Sequence, residues 1–354
     1  MMRELTKDTD VARIRVVTRD NGAGLSRDLG IVAGALSRSH AVTAVGFGGH
    51  RVLNRLRERW ARVACRLRGL HDVQISLERV YPSAFGCAAR HVLIPNPEWF
   101  SQRWIPLLPR FDLVLCKSRQ AEALFTALGC NARYIGFTCE DRWDQNVPRD
   151  RAFFHLAGRS TAKGTATLLD TWARHPEWPT LTVVQRARHA RRDMARHNVV
   201  VHAGHLPDIE LKRLQNAHRF HICPSEVEGF GHSIAEAMSV GAVVLTTDTA
   251  PMNELVDAQC GLLLSCTPGP AMGVTRRHHV QPATIEAGVE HALRLPESAC
   301  LALGRSARNR FLARDAGFRE RLVAALEPAR IATPVGELPE PHAMPVCPIL
   351  GQSS

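Results

Sequence analysis

The sequence predicts an α/β protein of two doubly wound domains facing across a cleft, and three observations predict it. Short apolar, β-branched runs alternate with longer amphipathic stretches. The alternation restarts after a polar, turn-rich segment at 138–151. The chain has 354 residues, more than one hydrophobic core usually serves, since ~150 residues per domain is the ordinary expectation.

The first unit opens with a strand at Arg13–Thr18, a glycine-bearing turn at Asp20–Gly24, and a helix whose apolar positions Leu29, Val32, Ala33 and Leu36 fall three and four apart. Further strands are expected at Ala41–Val45, Val73–Leu77, His91–Ile94 (stopped by Pro95 and Pro97), Phe111–Leu115 and Tyr134–Phe137. A helix through Ala121, Leu124, Phe125 and Leu128 should end at Gly129. The second unit repeats the pattern: strand 152–156, loop 157–164, helix 165–173, then strands at 181–185, 199–202, 220–223 and 242–246. Strands separated by helices make parallel β-α-β units, hence open sheets covered on both faces, with ligands beyond the carboxyl ends of the strands. The expected division is an extension at 1–12, domains at 13–148 and 149–327, and a Pro-rich tail at 328–354, with the last helix placed to pack back on the first domain.

Hydrophobic residues are 45% and charged residues 22% of the chain, a globular balance rather than a disordered one. No apolar run reaches the ~18 residues of a membrane span, and Met1–Asp8 has no apolar signal core, so a cytoplasmic location is expected. The ten cysteines form no C-x-x-C pair and should be reduced and mostly buried. A net charge of +11 suits nucleic acid, anionic lipid or a phosphorylated substrate. With no zinc-finger spacing, no RNA-binding aromatic signature and 6% aromatics, nucleic acid is not expected as a partner.

Two loops carry the candidate chemistry. Cys223–Met238 leaves a strand, crosses Gly229, Phe230 and Gly231, and enters a helix whose first amides and dipole favour phosphate or sugar oxygens. Glu228 precedes this helix and Glu236 lies one to two turns inside it, so two carboxylates can address the hydroxyls of one ligand from different depths. The alternative is a solvated helix residue beside a tight turn. Gly158–Thr165 likewise joins a strand to a helix. Its Arg159 and Lys163 could clamp a pyrophosphate without a metal, or be two surface cations. No Walker loop is present.

Together these loops resemble the retaining glycosyltransferases of GT-B fold, specifically glycosyltransferase family 4, whose E-x7-E spacing appears as Glu228 and Glu236 and whose basic pair matches Arg159 and Lys163. The resemblance runs over roughly 152–262 and includes Val201–Leu211, similar to the family's stretch beside the nucleotide base. It implies that Glu236 holds the donor ribose, Glu228 contacts the transferred sugar, and Arg159 and Lys163 neutralise the leaving diphosphate. Gly158, Leu206, Gly229, Phe230 and Gly231 would complete the donor site, with Gly22 and Gly24 approaching from the first domain. The implied reaction transfers a hexosyl unit from a UDP- or GDP-sugar, with retention and without cofactor or metal. Its acceptor would be an oligosaccharide or lipid-linked glycan of lipopolysaccharide or exopolysaccharide assembly. A GT-B phosphorylase or epimerase, or a non-catalytic nucleotide-sugar-binding scaffold, are the alternatives.

The first half resembles the family less. Asn96 and Glu98 are acceptor-side candidates, although a Pro-shaped structural loop is the favoured reading of Pro95–Glu98. Residues 51–70 carry seven arginines and one glutamate, with Val52, Leu56, Trp60, Val63 and Leu67 along one helical stripe. Such a helix could rest on anionic membrane, but an ordinary crossover helix with a solvated arginine face is favoured.

Overall fold

The computed structural model describes residues 11–19, 24–47, 60, 63, 65, 67 and 69–327. The first sheet has six parallel strands, β1 Arg13–Arg19, β2 Ala41–Phe47, β3 His71–Glu78, β4 Ala88–Pro95, β5 Leu113–Cys116 and β6 Ala132–Tyr134. They lie in the order β2-β1-β3-β4-β5-β6. Burial of five successive residues in both β1 and β3 marks strands covered on both faces. Two helices flank this sheet, α1 Gly24–Leu36 and α2 Arg119–Ala127. Ser118 caps α2 by accepting the Ala121 amide at 3.1 Å.

The second sheet is also parallel: β7 Asp150–Gly158, β8 Leu181–Gln185, β9 Val199–Ala203, β10 His218–Cys223, β11 Val243–Thr247 and β12 Gly261–Leu264. Its order, β12-β11-β10-β7-β8-β9, reverses between β7 and β10. That reversal is where doubly wound sheets open a crevice for ligands. Its helices are α3 Thr165–Trp172, α4 Asp208–Ala217, α5 His232–Ser239, α6 Met252–Leu255, α7 Pro282–Arg294 and α8 Glu297–Leu326. An antiparallel hairpin, β13 Cys266–Met272 with β14 Thr275–Val280, stands outside both sheets.

The 30-residue α8 bridges the two halves. Its Cys300 belongs to the second core, around Phe153, Trp172 and Phe220. Its Phe318, Leu322 and Ala325 join the first sheet's core with Ile14, Val32 and Ile75. Arg321 donates to the Ile135 carbonyl at 2.8 Å, and Arg90 donates to the Leu326 carbonyl at 3.1 Å.

Two expectations are refined. The strand expected at Tyr134–Phe137 ends at Tyr134, because Gly136 adopts φ +70° and turns the chain out of the pleat. The segment at 138–151, read as a polar linker, is anchored at Thr138, Cys139 and Arg142, which are buried, while most of its other residues are exposed. Arg142 is buried in hydrogen bonds, to Asp208 at 2.8 and 2.9 Å and to Gln215 at 3.0 Å. All nine cysteines among the described residues are free, and seven are buried. No described helix is long and apolar enough to cross a membrane. Most of 51–70, all of 328–354 and Gly22 lie outside the described residues. Trp60, Val63 and Leu67 are helical and exposed at 72%, 46% and 81%, while Cys65 is buried. The apolar positions of that stripe which are described therefore face solvent, opposite to what a crossover helix with a solvated arginine face would show.

Candidate active site

The two candidate loops leave the neighbouring strands β7 and β10 on either side of the sheet's reversal point. They touch. Gly164 has φ +65°, and a Cβ there would stand 2.3 Å from the Pro224 carbonyl oxygen, so this position needs glycine twice over. Below the contact, the buried His155 of β7 bridges the Ile222 carbonyl and the Thr165 hydroxyl, each at 2.8 Å. Burial lowers its pKa to about 4, so the ring is a neutral strut at physiological pH.

Lys163 and Glu228 form an ion pair. The ammonium lies 2.5 Å from Glu228 Oε1 and 3.0 Å from Ser233 Oγ in the first turn of α5. Burial disfavours the ammonium charge, but the Glu228 carboxylate outweighs burial and raises the Lys163 pKa. Arg159 stands in the field of Arg186 and Arg188 from the loop after β8. Burial first, and then these like charges, lower its pKa. Sequence reasoning gave those two arginines no role.

Gly231 enters α5 at φ +102°, which favours glycine. Phe230 packs inward, its ring 5.3 Å from Phe137 and 5.2 Å from His232, so its side chain seals the domain junction. Leu206 packs toward Phe154, Val184, Leu211 and Leu214. Gly158 ends β7 at φ +56°. Gly24 is the first residue of α1.

Glu236 is 3% exposed and held from two sides. Gln215 Nε2 donates to its Oε2 at 2.6 Å, and Arg27 of α1 donates to its Oε1 at 2.8 Å. Arg142 fixes the Gln215 amide by donating to Oε1, leaving the amide nitrogen for Glu236. Neither Gln215 nor Arg27 was singled out in the sequence. Both lie on helices remote in number from Glu236, and Arg27 reaches it only because the halves close.

The first domain brings a buried polar chain to the same place. Lys117 donates to Asp28 at 2.5 Å and to Asn96 at 2.9 Å, and its ammonium lies 4.3 Å from the Phe137 ring centroid. Asp28 also pairs with His232 Nε2 at 2.7 Å, across the junction. Burial would raise the Asp28 pKa, but Lys117 and His232 together hold it well below the usual carboxylate range. Asn96 and Glu98 come up against Gly229 of the second domain. Both Glu98 oxygens sit 2.8 Å from where a Cβ on Gly229 would be, and the Asn96 amide carbon sits 2.9 Å from it. Burial, with a further contribution from the Glu228 charge, pushes Glu98 up to about 8, and its Oε2 is buried with no hydrogen-bond partner. Read as mere turn structure, Pro95–Glu98 leaves out a buried carboxyl aimed at the Gly229 loop.

This assembly can hold an anion at Lys163 and a helix start, and hydroxyls at two carboxylates, beside side chains supplied by the first domain. Among the described residues, no group of three or more His, Cys, Asp or Glu side chains is placed to hold a metal.

Residues 153–272 match the family described as Glycosyl transferases group 1. No curated protein matches the sequence. Among solved structures, the chain is similar to sucrose-phosphate synthase of Thermosynechococcus elongatus, at TM-score 0.69 and 14% identity, covering 89% of this chain and 98% of that one. It is also similar to HepE of Anabaena, solved with UDP-glucose, at TM-score 0.66 and 15% identity over 89% and 99%. A glycosyltransferase of Rickettsia africae ESF-5 gives TM-score 0.65 and 12% identity over 89% and 98%. At these identities the likeness establishes the fold, and the group 1 match spans the strands of the second sheet. The chain is a glycosyltransferase of GT-B fold, and its residues 153–272 match the group 1 model.

Proposed function

We propose that the enzyme moves a hexosyl unit from a UDP- or GDP-sugar to a glycan acceptor with retention, as a family 4 member in cell-surface polysaccharide assembly. The observation that carries this reading is the pairing of Lys163 with Glu228, in the field of Glu236 and beside the Gly229–Gly231 turn, at the reversal point of the second sheet. In this reading Glu236, oriented by Gln215, accepts hydrogen bonds from the donor ribose once Arg27 yields its place. Glu228 accepts from hydroxyls of the transferred sugar. Negative charge develops on the departing diphosphate, and Lys163, Arg159 and the first amides of α5 oppose it, so no metal is required. Preorganisation is built in: burial holds Lys163 in place, and its pairing with Glu228 keeps it charged.

HepE carries UDP-glucose in its solved form, which favours UDP as the base carrier here. The outward-facing Trp60, Val63 and Leu67, within a segment of seven arginines, support a peripheral contact with anionic lipid at the cytoplasmic face of a membrane. A thermal-shift screen with UDP, GDP, ADP and CMP tests the donor reading. A ligand at 100 times its Kd stabilises the folded state by about 2.7 kcal/mol, so one nucleotide should stand apart, and no response to any would remove the reading.

A further inference from the structure

The hairpin β13–β14 is rooted beside the donor loops and ends on the other domain. At its root, the His278 amide donates to the Glu226 carbonyl at 2.7 Å, and the Glu226 carboxylate holds Arg277 at 3.0 Å and His279 at 3.6 Å. Glu226 itself donates its amide to Ala162, the neighbour of Lys163, at 3.0 Å, and it stands two residues before Glu228. At the tip, the Val274 amide donates to the Pro97 carbonyl at 3.0 Å. Val274 packs on the first-domain cluster of Val80, Leu93, Phe100, Trp104 and Phe125, and it is that cluster's only member beyond residue 132 among the described residues. Gly273, at φ +62°, lets the ribbon turn there: a Cβ would stand 2.2 Å from the Pro97 oxygen and 2.7 Å from the backbone of Glu98.

One ribbon thus ties the loop carrying Glu228 to the short turn carrying Glu98, whose Oε2 is buried and unpartnered beside Gly229. We propose that the hairpin Cys266–Val280 is a cross-domain strap that positions Glu98 against the donor loop and so governs which incoming hydroxyl, that of an acceptor sugar or that of water, reaches the transferred sugar. This rests on the reading of the second-domain loops as the donor site. In either outcome the incoming oxygen bonds the anomeric carbon as the sugar–phosphate C–O bond breaks. The nucleoside diphosphate leaves with the bonding pair, and the incoming oxygen's proton passes to it. The strap takes no part in those bonds; it sets access and register.

The test compares the full chain with Val274→Asp, which places a charge in the apolar cluster, and with Val274→Ile, which keeps the seat. In the ligand-free protein, amide exchange at Trp99 and Phe100, whose amides bond Asn96 and Pro97, should rise about tenfold or more in Val274→Asp with the second sheet unchanged. With UDP-glucose as probe donor and no acceptor, hydrolysis should rise about fivefold, ~1 kcal/mol, at unchanged UDP affinity, and Val274→Ile should behave as the parent. Unchanged exchange in a folded Val274→Asp protein overturns the strap. Faster exchange with unaltered hydrolysis overturns its control of access. A parent that neither binds UDP nor turns over UDP-glucose counts against the donor assignment and the control of access resting on it, while exchange still decides whether the strap exists.

Discussion

Replacing Asp28 by alanine should destabilise the protein by about 3–5 kcal/mol, the range for stranding one member of a buried ion pair. Lys117 is 3% exposed and its ammonium lies 2.5 Å from Asp28. Without that carboxylate it retains the Asn96 oxygen and the Phe137 ring, neither of which carries a compensating charge. His232 Nε2 would lose its acceptor across the domain junction at the same time. Lys117→Met alone should also destabilise, since Asp28 would remain buried with only His232 opposite. The double variant Asp28→Ala/Lys117→Met removes both charges and should recover much of the loss, because apolar replacement of a buried pair is often near neutral. Urea unfolding of the four proteins gives the coupling energy directly, and a value of about 2 kcal/mol or more is expected. Single variants within about 0.5 kcal/mol of the parent would refute the idea that this pair is dry and mutually dependent.

Gly164→Ala should cost about 2 kcal/mol or more, from a left-handed φ of +65° and a Cβ 2.3 Å from the Pro224 oxygen, and denaturant midpoints check it. Gln215→Leu leaves Glu236 without its orienting amide and should weaken nucleotide binding about tenfold, roughly 1.4 kcal/mol, by titration calorimetry; an unchanged Kd would separate Glu236 from the nucleotide. Glu98 has its folded pKa raised from 4.5 to about 8. Its contribution to the closed, folded state is therefore full below pH 4.5 and is lost as pH rises through about 8. Glu98→Gln should flatten stability against pH across that window, and a profile identical to the parent's would contradict the burial argument.

Much of the fold was legible because strand and helix periods differ, and because parallel strands buried on both faces read as short β-branched runs such as Ile14–Val17 and Val243–Leu245. The two candidate loops were legible for a related reason: glycines and charges at strand ends serve a local geometry, so Gly164, Lys163, Glu228 and Gly231 announce themselves within a few residues. Arg27, Asp28, Lys117 and Gln215 were not, since their importance comes from partners 21 to 209 residues away. The hairpin at Cys266–Val280 was also missed. Its sequence, with Pro268, Gly269, Pro270 and Gly273, reads as a loop, and its bulge between Pro268 and Ala271 breaks the alternation that would have marked strands. Arg142 was hidden within a polar, turn-rich stretch, where composition alone does not show which side chain hydrogen bonds will bury.

The central claim is that Lys163, Glu228 and Glu236 form one donor site on the second domain. Steady-state turnover of the nucleotide sugar selected by the thermal-shift screen, compared between the parent, Lys163→Ala and Glu236→Ala, tests it most directly. Lys163→Ala should lower kcat by about a hundredfold or more, as expected for removing a charge that stabilises the leaving group, and Glu236→Ala should act mainly through the donor KM. Folded variants that turn over the donor at the parent's kcat and KM would contradict the account.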